Sequence, residues 1–204
     1  LKKTYLRYNV VRWKIMSKKE DLRVTKTKMN LYEALMKLMK EKTFEEIKVS
    51  DICNDALTNR STFYDHFADK YELLDSLIND LEKDLIKKLE ENNIYSNAKE
   101  YYMQMIKIFF NHISDNINVY SSVLRKNTNS IVMDMAFDTI YKDVENHIKK
   151  SDKLLTTEIP VDIITEFYVS AVVNVCLKYI KYPNRYKKED ILKYLDVLIP
   201  DKIY

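Results

Sequence analysis

The stretch from Val49 to Leu74, VSDICNDALTNRSTFYDHFADKYELL, decides how the chain is read. Its spacing predicts two short helices broken by a tight turn, then the start of a longer helix. Phe63 and Phe67 stand four apart, so both lie on one helical face and turn inward. At about 100° per residue, Ser61 and Asp65 point roughly the other way. Tyr64 and His66 flank the buried pair, and Arg60 sits at the helix start. A short helix with one aromatic face buried and Arg, Ser, Thr, Tyr and His left outside suits the reading of a nucleic-acid groove.

The pattern extends in both directions from there. Helix 1 is predicted from Thr25, as N-cap, to Lys42, with Leu31, Leu35 and Leu38 as its inward stripe and Tyr32, Met36 and Met39 beside them. Phe44 and Ile47 plug the base of the small domain. Helix 2 covers Val49 to Ala56 and buries Val49, Ile52, Cys53 and Ala56. Asn59 caps helix 3 through its side-chain oxygen, and helix 3 runs to His66. Asp69 and Glu72 form a capping box that opens helix 4, which continues to Asn92 and joins the two parts of the molecule. Residues 91–98 are the expected hinge or loop. Further helices are predicted over 97–114, 119–125, 130–149, 160–182 and 187–198, with a polar loop over 149–157. The inward residues are Tyr101, Met105, Ile108, Phe109 and His112 on the first of these. They are Ile131, Met135, Ile140, Val144 and Ile148 on the third, and Ile191, Leu192, Leu195 and Leu198 on the last. Pro160 suits a first helical position, where a missing N–H costs nothing. The helix after it is apolar on nearly every side, which predicts one face on its own core and the other on a partner.

Composition bounds the class. The chain has 204 residues, no Gly and three Pro, which argues for a nearly all-helical protein because sheets and long loops usually need turn glycines. It also excludes the Gly-rich P-loop and the dinucleotide fingerprint. Residues 1 to 72 carry 16 Lys and Arg against 11 Asp and Glu, while residues 73 to 204 carry 18 against 20. The basic excess lies with the Phe63 helix, as a phosphate-binding surface requires. Cys53 and Cys176 stand alone, with no disulfide framework and no zinc spacing, which points to the reducing cytoplasm. No apolar run approaches a membrane span of about 18 residues, so no membrane partner is expected. The first 16 residues, LKKTYLRYNVVRWKIM, lack the apolar core and small-residue cleavage site of a secretory signal. No cofactor, metal ligand set or catalytic group is expected.

The residues Val49, Asp51, Ile52, Ala56, Asn59, Arg60, Thr62, Phe63, Tyr64, Phe67, Lys70, Leu73 and Leu74 make this stretch resemble the helix-turn-helix of the TetR family of bacterial transcriptional regulators. The resemblance is strong over about Thr25 to Leu77 and weak beyond. It implies an all-α fold, with an N-terminal three-helix helix-turn-helix DNA-binding domain and a C-terminal helical ligand-binding and dimerisation domain. On that reading residues 1–24 are a basic arm, 25–72 the DNA-binding domain, and 73–204 the regulatory and dimerisation domain. Met16 opens an ordinary start for the family, so residues 1–15 are expected to be an upstream extension or a mis-assigned start. The DNA-contacting residues implied are Thr25, Lys26, Asn59, Arg60, Ser61, Thr62, Tyr64, His66 and Lys70. Arg60 is the base reader, its guanidinium matching guanine O6 and N7. Tyr64, His66 and Lys70 are phosphate contacts, which set register without reading sequence. Lys28 is a further candidate beside Lys26. The family also implies a homodimer through helices 160–182 and 187–198, a palindromic operator in double-stranded DNA, a repressor role, and release by a small-molecule inducer bound among helices 4 to 8.

Two positions depart from the family pattern. Leu57 stands where a turn glycine is usual, and Ser61 where Gly or Ala is usual. Either the turn adopts another geometry or packing compensates a cost on the order of 1 kcal/mol. Asp65 either accepts from a cytosine amino group or restrains Arg60. His112 and His147 have no second ligand at metal spacing and read as ordinary histidines. Asp134 and Asp138 face either a cationic ligand or solvent. The 16 Tyr and 8 Met make either an adaptable cavity or ordinary core. The rival functions are a helical interaction module without DNA binding and an enzyme, for which no nucleophile–base pair is seen.

Overall fold

The computed structural model describes residues 22–90, 98–127, 131–150 and 159–200. Residues 1–21 of the expected arm, 91–97 of the expected hinge or loop and 151–157 of the expected polar loop over 149–157 lie outside the described residues. Among those described there are nine helices and no strand. They are α1 (Leu22–Leu38), α2 (Val49–Asp55), α3 (Arg60–Tyr64), α4 (Lys70–Glu90), α5 (Ala98–Asp115), α6 (Ile117–Asn127), α7 (Ile131–Lys150), α8 (Val161–Lys181) and α9 (Lys188–Leu198). The fold is all-α.

The head is built by α1 to α3 and the start of α4. Its core holds Leu31, Leu35, Phe44, Ile47, Ile52, Phe63, Leu73 and Leu74, each almost fully buried. Phe63 and Phe67 face inward with ring centroids 5.9 Å apart, and Phe67 meets Tyr32 at 6.4 Å. Tyr32 ties α1 to α4 by polar bonds as well, with its hydroxyl 2.7 Å from Ser76 Oγ and donating to Asp80 Oδ2 at 2.9 Å. α1 ends four residues earlier than its pattern predicts. The Lys40 and Glu41 N–H groups turn to the carbonyls of Lys37 and Leu38, so that Met39 and Phe44 swing into the core.

Three capping expectations are corrected. Thr25 is no N-cap, because α1 is already formed from Leu22 and Thr25 lies within it. Asn59 does occupy the N-cap of α3, with φ −70° and ψ 149°, but its side chain makes no capping bond. Pro160 sits at the N-cap of α8 rather than inside the helix, because its ψ of 142° keeps it extended. The α4 box forms in altered register. Asp69 Oδ1 accepts from the N–H groups of Tyr71 and Glu72, while Glu72 reaches back to Ala68 rather than to Asp69.

α4 carries the chain from the head into the second part, where it packs on α5 and α7, and α7 packs in turn on α8. α5 touches α4, α6, α8 and α9. That central place shifts its phase. Ile106, Phe110 and Ile113 are its most buried apolar residues, while Tyr101, Met105, Ile108 and Phe109 are half-buried. A helix surrounded on several sides has no single stripe, which is why the predicted one falls a residue away. On α7 Val132 is buried in place of Ile131, and just past the end of α9 Ile199 follows Ile191 and Leu195 inward while Leu198 is exposed.

α8 is long and apolar enough, by length and composition, to cross a membrane, contrary to the sequence expectation. Its 21 residues are nevertheless two-sided. Ile164, Thr165, Val169, Cys176, Tyr179 and Ile180 are buried. The opposite face exposes Asp162, Glu166, Asn174 and Lys178, with Ile163 and Phe167 between them. The expectation of apolar residues on every side is corrected to an exposed face of mixed character. α8 ends before Pro183, whose ring disfavours helical backbone in the preceding residue, and Tyr182 there has φ −132° and ψ 62°.

Candidate nucleic-acid interface

The α2–α3 unit is held together by its turn. Leu57 has φ 52°. Thr58 N–H bonds Cys53 O at 2.9 Å and Leu57 N–H bonds Asn54 O at 3.3 Å, the pair of bonds that ends a helix through a left-handed residue. The turn therefore keeps the geometry that glycine usually serves. Leu57 bears the steric cost with its side chain 94% exposed, so no packing offsets it. The start of α2 is fixed by Asp51, whose Oδ2 accepts from Lys48 N–H at 3.2 Å and from Lys42 Nζ at 2.6 Å. Those hydrogen bonds, Lys42 first, hold the Asp51 carboxyl below its ordinary pKa.

α3 is locked inward by Phe63 and outward it carries the predicted site. Asn59, Arg60, Ser61 and Tyr64 are exposed, and Thr62 and His66 are half-buried. Tyr64 rests edge-on against Phe63 at 5.4 Å, and the His66 ring lies 6.3 Å from Phe67. Among the described residues neither a hydrogen bond nor an ion pair joins Arg60 to Asp65. α3 thus brings Asn59, Arg60, Ser61, Thr62 and Tyr64 together on one short element. Thr25 and Lys26 stand on a different element, α1, where Thr25 is half-buried, Lys26 is exposed and the first fully buried residue is Leu31. The turns before Leu31 carry Arg23, Lys26 and Lys28 and no acidic residue over 22–30.

Lys70 is placed differently from its expected role. Its Nζ donates to the carbonyls of Phe44 at 2.8 Å, Glu45 at 2.9 Å and Ile47 at 2.8 Å. It also lies 4.8 Å from the centroid of the Phe44 ring. An ammonium has three donors, and all three are taken. Burial lowers its pKa, with Glu45 and Asp69 opposing. Lys70 thus clamps the turn between α1 and α2 from the start of α4.

Sequence reasoning missed several polar residues in the second part. Asn127, at the end of α6, is buried and bonded to the head. The Tyr102 hydroxyl on α5 is buried without a hydrogen-bond partner among the described residues. The Glu82 carboxyl on α4 is pushed up to about 7, first by burial and then by the Asp143 carboxylate. His112 bonds the Tyr120 hydroxyl through Nε2 at 2.7 Å, and burial pushes its pKa down to about 4. The His147 ring stacks on Tyr101 at 4.0 Å. Among the described residues no group of three His, Cys, Asp or Glu is placed to hold a metal ion. A surface cavity of about 600 Å³ opens at the α8–α9 connection, lined by Ser114, Tyr179, Arg185 and Tyr186 among others.

An all-α chain with a helix-turn-helix at one end and a larger helical body has the architecture of a class of DNA-binding transcriptional regulators. Family comparison agrees. Residues 31–77 match the model described as bacterial regulatory proteins, tetR family, and residues 100–201 match a transcriptional regulator C-terminal region. The chain belongs to the TetR family. It is similar to YxbF of Bacillus subtilis (strain 168), an uncharacterized HTH-type transcriptional regulator, at 40% identity over 62 residues. That match spans 30% of this chain and 16% of the length of that relative. Among solved structures, a TetR transcriptional regulator from Streptococcus agalactiae 2603V is 26% identical, with a TM-score of 0.60 over 87% of this chain and 96% of that one. FadR from Bacillus subtilis, solved in complex with stearoyl-CoA, shares the fold at 16% identity and a TM-score of 0.60, over 86% and 99% of the two chains.

Proposed function

We propose that this chain is a homodimeric, cytoplasmic repressor that places α3 of each subunit in the major groove of a palindromic operator and is released by a small molecule. The reading is carried by α3. Phe63 locks it to the head while Asn59, Arg60, Ser61 and Tyr64 remain exposed on one short element. Arg60 reads a guanine edge, which is worth about 1–3 kcal/mol of discrimination. Tyr64 and His66, with Thr25 and Lys26 on the first turns of α1, hold the backbone. The division at residues 72 and 73 assigns α1 to α3 to this task and the remainder to regulation and pairing.

Two further observations support the finer parts. Ile163 and Phe167 on α8 are 57% and 67% exposed, and Val197 and Leu198 on α9 are 77% and 73% exposed, which leaves apolar surface for a second copy. The buried hydroxyl of Tyr102, without a hydrogen-bond partner among the described residues, supports a polar ligand in the regulatory part.

The test is selection of genomic fragments by the purified protein, followed by salt titration of the recovered site. A palindromic site is expected whose affinity falls steeply with salt. Arg60→Ala is expected to relax discrimination at one base pair per half-site, by about 1–3 kcal/mol. Recovery of no fragment at any salt concentration would favour an interaction module and overturn the reading.

A further inference from the structure

Asn127 closes α6 and is only 1% exposed. Its Oδ1 accepts from the Phe44 N–H at 2.8 Å, and its Nδ2 donates to Met39 O at 3.1 Å and to Val123 O at 3.0 Å. Met39 and Phe44 bracket the turn that ends α1 and leads to α2. The same turn is gripped from α4 by Lys70 through the carbonyls of Phe44, Glu45 and Ile47. Phe44 therefore gives its N–H to α6 and its C=O to α4. Val123 and Val132 join the head's apolar core at this point, with Val119 and Met135 packed against it. Apolar contact alone is non-directional and tolerates sliding. A carboxamide bonded to three backbone groups fixes both distance and angle.

We propose that Asn127 is the positioning residue that sets the angle between the head and the regulatory part, so that a shift of α6 moves α1 and α2 with it. The proposal adds a transmission point to the regulatory reading above, and its test uses no DNA, so either can fail without the other. The displacement enters at the α1–α2 turn and reaches α3 through the Phe63 core. Removing the carboxamide leaves Phe44 N–H and Met39 C=O buried without partners, and their solvation then favours other head angles.

The experiment measures the distance between spin labels on Glu33→Cys in α1 and Lys107→Cys in α5, both exposed positions, in samples diluted with unlabelled chain. The unsubstituted latch should give a single narrow distribution. Asn127→Leu and Asn127→Ser should each broaden it. Val123→Ala, which weakens the same contact without touching a side-chain hydrogen bond, should lower the melting temperature while leaving the distribution narrow. A narrow distribution in both Asn127 variants overturns the proposal, and so does equal broadening in Val123→Ala. Hydrogen exchange at the Phe44 amide needs no variant. Protection matching the head's core is expected, and exchange at the rate of an unpaired surface amide would overturn the proposal even where both Asn127 variants fail to fold.

Discussion

Leu57 shows most plainly how one residue can bear a cost for its neighbours. A left-handed conformation costs a non-glycine residue about 1–2 kcal/mol, and an exposed side chain recovers none of it. The turn persists because its two backbone bonds and the burial of Ile52, Cys53 and Phe63 on either side leave no alternative. Leu57→Gly should raise stability by about 1 kcal/mol, part of which the looser unfolded chain takes back. That corresponds to a rise in melting temperature of roughly 2–4 °C. A fall would mean that Leu57 makes a stabilising contact after all. The cost was legible in the sequence, since the family pattern has glycine there, but which of two escapes the chain takes was not. The outward set on α3 was equally legible, because Phe63 and Phe67 fix the helix phase locally. Asn127 was not, because its partners lie 83 and 88 residues away and nothing near it in sequence marks it.

Among the elements, the turn between α1 and α2 has changed in meaning. It was expected to plug the base of the head with Phe44 and Ile47, and both are buried there. It is also the place where α4 and α6 take hold. The motif position of Lys70 implies a phosphate contact, and its ammonium here meets the three carbonyls of that turn. Lys70→Met keeps the stem over Phe44 and removes the donors. It should cost about 1–3 kcal/mol of stability, for the loss of charged hydrogen bonds to the carbonyls of Phe44, Glu45 and Ile47. The salt slope of DNA binding should stay unchanged, whereas loss of a phosphate contact would lower it by about 1. Stability unaltered together with a reduced slope would restore the phosphate role. Periodicity marks the helices of the second part, but it does not fix the inward face where a helix has neighbours on several sides, as for α5, or keeps an open face, as for α8.

At the scale of the molecule, two titratable groups, the half-buried Glu82 and the buried His112, oppose each other. Glu82 is pushed up to about 7 from 4.5, by burial first and by Asp143 second, with Lys83 opposing. Between those values the folded chain holds a proton that the unfolded chain has lost, so stability falls as pH rises. His112 is pushed down to about 4 from 6.5, by burial first and by Lys88 second, with Asp115 opposing. Between those values the unfolded chain holds the extra proton, so stability rises with pH. The two effects offset each other where the windows overlap. Melting temperatures followed from about pH 4 to about pH 8 should therefore separate them. Glu82→Gln should expose a loss of stability on acidification below 6.5, the ordinary value for His112. His112→Gln should expose a loss as pH rises from 4.5 towards about 7. Parallel profiles for all three proteins would contradict both assignments.

The core that unites Leu31, Phe63 and Leu74 with Val123 and Val132 has a practical consequence for modular engineering. Regulators of this architecture invite chimeras in which one head is grafted onto another body. A graft cut within α4 would transplant Phe44 without the carboxamide and valines that receive it. The transplantable unit is discontinuous: the head must travel with the last turns of α6 and the first turn of α7.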